Sequence, residues 1–111
     1  MKLAIVGGRD FCDQVLFDEA MKNFNPKEII SGGATGADSM AVEFAVKNGV
    51  KLTVFQPDWK THGRVAGPIR NKLIIESADA LLAFWDGKSK GTKNSIDLAK
   101  KKGIPTNVEY Y

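Results

Sequence analysis

Five short apolar runs, separated by segments long enough for helices, constrain the fold of this chain more than any other feature. The runs span residues 3–6, 28–31, 52–55, 80–84 and 106–110. Runs that are apolar throughout, such as 80–84, are expected where helices cover both faces of a parallel sheet. The last run alternates after Pro105, which is typical of an edge strand. The sequence therefore predicts an α/β fold, a Rossmann-like doubly wound sheet of about five parallel strands with helices on both faces.

Four helices are predicted between these strands, at about 13–24, from 37 to a stop at Gly49, at 68–77 and at 92–102. The second has the clearest pattern, with apolar residues spaced three and four apart from 37 to 45. The first is expected to bury Leu16, Ala20 and Phe24. Pro68 suits the first turn of the third helix, and Gly103 ends the fourth.

Length and charge limit the class of protein. A chain of 111 residues with 43% hydrophobic composition predicts one globular domain over residues 1–111. Residues 1–50 carry five basic and seven acidic groups, whereas residues 51–111 carry eleven and six. Six lysines lie between Lys88 and Lys102, including the run 100–102 on a predicted helix. That run either forms a solvated helix face or contacts nucleic acid, and the sequence leaves both interpretations open.

Cys12 is the single cysteine, so the chain cannot build an internal disulfide framework or a cysteine-based zinc site. No histidine, cysteine or carboxylate cluster has metal-ligand spacing, and neither glycine turn spells the dinucleotide-binding fingerprint. The first apolar run is too short for a signal peptide or a membrane span. We therefore expect a cytoplasmic protein with no metal, no resident cofactor and no membrane partner.

The glycine-rich stretch 30–38 is the strongest functional signal. Three glycines and two hydroxyls lie where the second strand becomes the second helix. Glycine lets the backbone approach a ligand, and the free N–H groups of a helix N-terminus favour an anion. A second glycine turn, at 6–10, adds Arg9, whose guanidinium suits a phosphate. Both turns are predicted to hold one shared ligand.

Unusual residues follow all of the first four strands, and the carboxyl ends of parallel strands meet at one edge of a sheet. The ligand crevice is therefore predicted at that edge. The candidate ligand-binding residues are Gly7, Gly8, Arg9, Asp10, Ser31, Gly32, Gly33, Ala34, Thr35, Gly36, Asp38, Trp59, Arg70, Asn71, Trp85, Gly91 and Thr92.

Several of these residues also have a purely structural interpretation. The glycines would equally make a tight strand-to-helix turn, and Asp38 suits a helix first turn. Arg9 and Arg70 would also serve as surface ion-pair partners. Trp59 and Trp85 would either stack on a base or cap the core. His62, in a loop predicted to be mobile, is expected to be solvated.

Five motifs occur in order along the chain, and together they are specific. They are Gly7-Gly8-Arg9-Asp10-Phe11, Ser31-Gly32-Gly33-Ala34-Thr35-Gly36-Ala37-Asp38, Asp58-Trp59, Ala66-Gly67-Pro68-Ile69-Arg70-Asn71 and Gly91-Thr92. In these motifs the chain resembles, over essentially its whole length, the SLOG superfamily, and more narrowly its small YspA/YpsA-related single-domain branch. Relatives include the Lonely Guy phosphoribohydrolases, which cleave the base from nucleoside monophosphates, and DprA, which binds single-stranded DNA. The resemblance implies a Rossmann-like fold, a nucleotide-derived ligand and a bacterial or phage source.

The resemblance to the phosphoribohydrolases holds at one catalytic position and fails at another. Their arginine at the start of the helix after the third strand is matched by Arg70, in the context Arg-Asn-Lys. Their motif Pro-Gly-Gly-x-Gly-Thr-x-x-Glu is matched at Gly91 and Thr92, but Ser95 replaces the glutamate. Glycosidic cleavage needs a carboxylate, which Asp38, Asp58 or Asp86 would have to supply. Arg70 and Asp38 are the candidate catalytic residues.

Three hypotheses of function follow. The first is a module that binds a nucleotide or nucleotide-derived small molecule, as a sensor or by sequestering it. The second is a phosphoribohydrolase-like enzyme that cleaves the N-glycosidic bond of a nucleoside monophosphate. The third is a single-stranded nucleic-acid binder that uses the lysine-rich second half. The resemblance also implies a homodimer or other homo-oligomer.

Overall fold

The computed structural model describes residues 1–111 and contains five strands and five α-helices. In chain order they are β1 (Lys2–Gly7), α1 (Gln14–Met21), β2 (Glu28–Ser31), α2 (Ala37–Asn48), β3 (Lys51–Val54), α3 (Trp59–His62), α4 (Ala66–Ser77), β4 (Ala80–Trp85), α5 (Lys90–Lys102) and β5 (Thr106–Tyr110). All strands pair in parallel in the order β3-β2-β1-β4-β5. The predicted Rossmann-like α/β fold is confirmed, with β5 at an edge.

Two apolar clusters, one on each face of the sheet, form the core. Alternate residues of β1 divide between them, because successive side chains of a strand point to opposite faces. Leu3 and Ile5 join the cluster that α1 and α2 cover, whereas Ala4 and Val6 join the cluster that α4 and α5 cover. Burial on both sides explains why the strand sequences are apolar throughout.

The first helix is shorter than predicted. It begins after Asp13, whose side chain caps it by accepting the N–H of Leu16 at 3.0 Å, and it ends at Met21. The prediction that Leu16 and Phe24 are buried is wrong, because both are only partly buried at the margin of the cluster. The residues that face the sheet include Phe17 and Met21.

The segment predicted as a mobile loop, 60–64, is helical. Asp58 caps α3 by accepting the N–H of Thr61 at 3.1 Å, and a 3-10 turn over Gly63–Val65 leads into α4. Because that turn continues into the helix, α4 begins at residue 66 and not at the predicted 68. Similarly, α5 begins at residue 90 and not at 92, because Ser89 is its N-cap.

The strand order positions the functional edge of the sheet. The order reverses between β1 and β4, so the connections that leave these neighbouring strands pass to opposite faces. A crevice opens at that point, outside the carboxyl ends of the strands. No helix has both the length and the apolar character needed to cross a membrane.

Candidate functional site

Two adjoining cavities open at this crevice and share Arg9, Ala34 and Arg70. The first, which we call the α5 cavity, has a volume of about 290 Å³. Its other lining residues are Val6, Gly7, Gly8, Asp38, Asn71, Ile74, Ser89, Gly91, Thr92 and Ser95. The second, the Trp59 cavity, has a volume of about 250 Å³. Its other lining residues are Gly32, Gly33, Thr35, Pro57 and Trp59.

Arg70 lies between the two cavities and is held by two hydrogen bonds. Its Nη1 donates to the backbone oxygen of Gly32 at 3.0 Å, and its Nε donates to Oδ1 of Asn71 at 3.0 Å. Partial burial lowers the pKa of the guanidinium, and the nearby carboxylate of Asp38 opposes that shift. Arginine remains charged at neutral pH in spite of such shifts. The structure thus presents an oriented cation with further N–H donors toward the crevice.

Arg9 reaches the same crevice from the loop after β1. It is exposed, and neither it nor Arg70 forms a salt bridge with any carboxylate of the chain. The interpretation of these arginines as ordinary ion-pair partners is therefore wrong. Two guanidinium groups instead face one space, and the charge of Arg9 helps to lower the pKa of Arg70.

Asp38 is the acidic residue that lines the crevice. Its side chain is 6% exposed, and Oδ2 accepts the N–H of Ala34 at 3.2 Å. Burial raises the pKa of this carboxyl, although the N–H of Ala34 and the charges of Arg70 and Arg9 act in the opposite direction. The buried carboxylate can accept a hydrogen bond from a ligand hydroxyl or, when protonated, donate one.

The other two carboxylates considered for catalysis have structural roles. Asp58 caps α3, and its hydrogen bonds with Thr61 lower its pKa. Asp86 accepts the backbone N–H groups of Lys88 and Ser89, each at 2.8 Å, and these bonds lower its pKa. Neither lines either cavity. Of the three, only Asp38 faces the crevice.

The glycine loop 32–36 is shaped by close approaches. A Cβ atom at Gly32 would overlap Nη1 of Arg70, and a Cβ atom at Gly36 would overlap the backbone oxygen of Gly8. Gly36 also has a φ of 75°, which L side chains rarely adopt. The N–H groups of Thr35 and Gly36 have no hydrogen-bond partner in the chain. The loop therefore combines a tight turn with free donors at the start of α2.

Four predicted site residues line neither cavity and have other partners. Ser31 is fully buried, and its hydroxyl donates to the backbone oxygen of Asp38 at 3.2 Å. Asp10 accepts the hydroxyl of Tyr111 at 2.6 Å. Gly36 packs against the loop after β1, as described above. These three residues support the crevice from outside it.

The fourth is Trp85, which differs from Trp59 in its surroundings. The Nε1 of Trp85 donates to the backbone oxygen of Ser89 at 3.0 Å, so this side chain holds the start of α5. Trp59, by contrast, is 54% exposed at the edge of its cavity. His62 is exposed and lines neither cavity. Of the aromatic candidates, only Trp59 presents an indole to the crevice.

The N-terminus of α5 forms the wall opposite the glycine loop. Asn71 of α4 bridges to α5 by donating to Oδ1 of Asn94 at 3.1 Å. Ser95 is 1% exposed, and its hydroxyl lies 3.5 Å from the backbone oxygen of Gly91. The serine that replaces the glutamate of the phosphoribohydrolases thus lies in the wall of the α5 cavity, with no carboxylate in its place.

Sequence reasoning missed five lining residues: Val6, Pro57, Ile74, Ser89 and Ser95. Ser89 had a local signal, because serine is a preferred N-cap and a helix was predicted just after it. Ser95 was identified only as a departure from a motif. The other three carry no polar group, and only the tertiary structure reveals that they reach the crevice.

A larger groove, of about 470 Å³, lies between α1 and α2, away from the strand ends. Its lining mixes acidic, basic and amide side chains with Met21, Met40 and Phe44. No pair of arginines and no free helix N-terminus faces it, so we place the functional site at the crevice.

Comparison with known proteins identifies a family model and a phage relative that match this chain. The family model YAcAr, described as the YspA, cpYpsA-related SLOG family, matches residues 1–62. Gene 61 protein of Mycobacterium phage D29 is 34% identical over 115 residues, which cover 94% of this chain and 92% of that protein.

Two solved structures of DNA processing protein A share the fold. The X-ray structure of DprA from Streptococcus pneumoniae superposes with a TM-score of 0.76 at 20% identity, covering 96% of this chain and 49% of that one. The Helicobacter pylori protein, described for its single-stranded DNA binding mode, superposes with a TM-score of 0.75 at 26% identity, covering 97% and 64%. This chain therefore spans less than two thirds of either protein. Because the family model matches more than half of its residues, the chain belongs to the YspA, cpYpsA-related SLOG family.

Proposed function

We propose that this protein binds the phosphate of a nucleotide or a nucleotide-derived small molecule in the crevice, as a sensor or by sequestering the ligand. One observation carries the proposal. Arg9 and Arg70, neither of them in a salt bridge, line the same crevice as Thr35, whose backbone N–H before α2 has no partner in the chain. Guanidinium groups and helix N-termini are the two protein features that best match a phosphate.

The neighbouring side chains favour a nucleotide over an inorganic anion. Trp59 offers an exposed indole on which a base can stack, an interaction worth roughly 1–3 kcal/mol per base in nucleic-acid sites. Asp38 and Asn71 line the α5 cavity with groups that can hydrogen-bond sugar hydroxyls. Phosphate, base and sugar thus each have a chemically matched partner.

Binding without turnover is favoured by the composition of the walls. Cleavage of an N-glycosidic bond needs a carboxylate that stabilises the developing positive charge or activates water. Asp38 is the single carboxylate in the lining, and Ser95 stands where the phosphoribohydrolases have glutamate. The hydrolase alternative therefore depends on Asp38 acting together with Arg70.

A ligand screen tests the proposal. Purified protein is titrated with nucleoside mono-, di- and triphosphates while thermal stability is recorded, and each mixture is then chromatographed for released base. A ligand that binds only the native state raises the free energy of unfolding, by about 2.7 kcal/mol at a hundredfold excess over its Kd. A shift with intact ligand supports binding, whereas free base supports the hydrolase. No shift with any nucleotide overturns the proposal.

Two matched variants locate the site. Arg70→Gln removes one of the crevice cations and is expected to weaken nucleotide affinity at least tenfold. Arg64→Gln removes an exposed arginine of the 3-10 turn that lines neither cavity, and it is expected to leave affinity unchanged. Equal affinities for the two variants would place the binding site elsewhere. Light scattering of the same samples tests the proposed homo-oligomer.

Single-stranded DNA is the second candidate ligand. It is favoured by the structural similarity to the Helicobacter pylori DNA processing protein A, whose single-stranded DNA binding mode has been described, and by the basic second half of this chain. Binding of a fluorescent oligothymidylate should then weaken by orders of magnitude between about 50 and 200 mM salt, because phosphate contacts release counterions. Salt-independent or absent binding would contradict this function.

A further inference from the structure

The two arginines of the crevice are held in different ways. Arg70 is fixed by its own hydrogen bonds, to the backbone oxygen of Gly32 and to Asn71. The side chain of Arg9 makes no hydrogen bond and no salt bridge with the rest of the chain. The direction in which Arg9 points therefore depends on the backbone that carries it.

That backbone is a β-turn that follows β1. The N–H of Phe11 donates to the backbone oxygen of Gly8 at 3.3 Å, which closes a turn over residues 8–11. The same oxygen accepts the N–H of Ala37 at 3.3 Å, so the turn is also joined to the start of α2. Arg9 and Asp10 are the central residues of the turn, and neither makes a backbone–backbone hydrogen bond. The turn is thus held at its ends and needs another support for its central part.

Tyr111 contacts the turn on both sides of Arg9. Its hydroxyl donates to Oδ1 of Asp10 at 2.6 Å, and the centre of its ring lies 4.9 Å from that of Phe11. The hydroxyl also lies against Gly8, where a Cβ atom would overlap it. Three of the four residues of the turn therefore touch one side chain, which lines neither cavity.

Tyr111 is itself fixed to the sheet. Its N–H donates to the backbone oxygen of Trp85 at 3.2 Å, at the end of β4. Phe11, against which the phenol ring packs, is 2% exposed and stacks on Phe84 with 4.4 Å between the ring centres. The phenol thus connects the core of the protein to the turn.

We propose that Tyr111 is a positioning residue for the crevice, because it supports the turn from outside the two cavities and so fixes the direction of Arg9. Loss of its hydroxyl leaves the turn closed but frees the central residues to move, and a ligand must then order the cation when it binds. This inference rests on the proposed function, since Arg9 is one of the two cations proposed to hold the phosphate.

A double-mutant cycle tests whether Tyr111 acts through Arg9. Tyr111→Phe keeps the ring but loses the hydrogen bond, and calorimetric titration with AMP is expected to show about fivefold weaker binding. In an Arg9→Gln background the same substitution is expected to change the affinity by less than about twofold, because the positioned cation is then absent. An equal loss in both backgrounds would overturn the proposal.

Two further comparisons distinguish positioning from a general loss of stability. In an Arg70→Gln background, Tyr111→Phe should again weaken AMP binding about fivefold, since Arg70 has its own hydrogen bonds. Tyr110→Phe removes an exposed hydroxyl from the neighbouring residue and should leave the affinity unchanged. If Tyr110→Phe weakens AMP binding as much as Tyr111→Phe does, the bond to Asp10 is not responsible and the proposal is wrong. Circular dichroism of each variant confirms that it is folded before titration.

Hydrogen exchange of the free protein separates failure of this inference from failure of the proposed function. The N–H of Phe11 should exchange about fivefold faster in Tyr111→Phe, whereas that of Leu16, bound by Asp13, should be unchanged. An unchanged rate at Phe11, or an equal increase at Leu16, would show that Tyr111 does not order the turn. A selective increase at Phe11 in a protein that binds no nucleotide would support the ordering of the turn and overturn the proposed function.

Discussion

The guanidinium of Arg70 donates a hydrogen bond to the backbone oxygen of Gly32 at 3.0 Å, which joins α4 to the glycine loop. The missing side chain of Gly32 makes this contact feasible, because a Cβ atom there would overlap Nη1 of Arg70 and lie 2.8 Å from Oδ2 of Asp38. Because Gly32 has no side chain, the guanidinium of Arg70 and the carboxylate of Asp38 can both approach its backbone. The orientation of these two side chains therefore depends on glycine at position 32.

Gly32→Ala is expected to displace the Arg70 guanidinium and to weaken phosphate binding by about tenfold, since a well-placed charged hydrogen bond is worth roughly 1.5–3 kcal/mol. The overlapping atom is the end of a flexible side chain, and Gly32 has no positive φ, so the fold should tolerate the methyl group. Calorimetric titration with AMP and thermal melting of the free protein measure the two effects separately.

Gly67→Ala is the matched control for this substitution. Its Cβ atom would meet only Cη2 of Trp59, at an ordinary distance of 3.7 Å, and alanine favours the helix by about 1 kcal/mol over glycine. We expect unchanged AMP affinity and a higher melting temperature. Full affinity in Gly32→Ala would show that the position of Arg70 does not matter for binding.

Asp38→Asn is expected to stabilise the free protein at pH 7, by roughly 1 kcal/mol, because it removes a buried charge and keeps an oxygen for the N–H of Ala34. A carboxyl whose pKa burial raises contributes stability that is fully present below its ordinary pKa of 3.8 and is lost as the pH rises through the raised value. The melting temperature of the variant should therefore exceed that of the wild type at pH 7.

The difference in melting temperature between Asp38→Asn and the wild type should shrink as the pH falls toward 4, because the wild-type carboxyl then takes up its proton. Asp97→Asn, which removes an exposed carboxylate paired with Lys93 at 2.8 Å, is expected to change the free energy of unfolding by no more than about 0.5 kcal/mol. A lower melting temperature for Asp38→Asn than for the wild type at pH 7 would contradict the dominance of burial at this site.

The parts of the fold that local sequence determines were predictable. The strands at 28–31 and 106–110 match the prediction at both ends, because continuous or alternating apolar residues mark a strand without reference to its neighbours. The stops at Gly49 and Gly103 are also confirmed, with φ of 65° and 84°, because glycine readily takes the left-handed conformation that ends a helix. Helix α3 had the same kind of local signal in Asp58, three residues before Thr61.

The remaining features depend on residues that are distant in sequence. Asp10 was predicted to contact a ligand, but its partner is Tyr111, 101 residues away. Trp85 was considered for base stacking, but its indole N–H is bound to the backbone of Ser89. No periodicity or motif carries such pairings, because they arise from the packing of elements that the chain brings together only on folding.

Tyr111→Phe is expected to remove a phenol that does not ionise near its ordinary pKa of 10. Its pKa is raised first by burial and then by the hydrogen bond and charge of Asp10. The difference in ultraviolet absorbance between wild type and variant should therefore show no tyrosinate at pH 10 and should develop it only at higher pH. Half-ionisation of this phenol at pH 10 would contradict the contact.

The same bond should contribute to stability. We expect Tyr111→Phe to lower the free energy of unfolding by roughly 1 kcal/mol. Because the pKa is raised in the folded state, this contribution is present below pH 10 and is lost as the pH rises through the raised value. Tyr110→Phe is the control, since its side chain is 64% exposed and makes no hydrogen bond.

Lys102 joins the two helices on one face of the sheet, and this role separates it from the rest of the lysine run. Its Nζ donates to the backbone oxygens of Ile75, Glu76 and Ala78 at 3.0, 2.9 and 2.9 Å. Helix α4 has no basic residue in its own last turn, so this cation from α5 is the one that complements the end of its dipole. Lys102 is exposed, as the prediction of a solvated helix face requires, but its ammonium group also binds the end of α4.

Lys102→Met keeps the aliphatic stem and removes the ammonium group, so the oxygens of Glu76 and Ala78 lose this donor, whereas the oxygen of Ile75 keeps the N–H of Ala78. We expect the free energy of unfolding to fall by about 1–2 kcal/mol, measured as a lower urea midpoint with an unchanged m value. Lys101→Met, at the exposed neighbouring position, should change the midpoint little. If the two variants lose equal stability, net charge and not the contact with α4 is responsible. If only Lys102→Met loses stability, its oligonucleotide affinity must be compared with that of the wild type at an equal folded fraction. Otherwise unfolding of the variant would be counted as weaker binding.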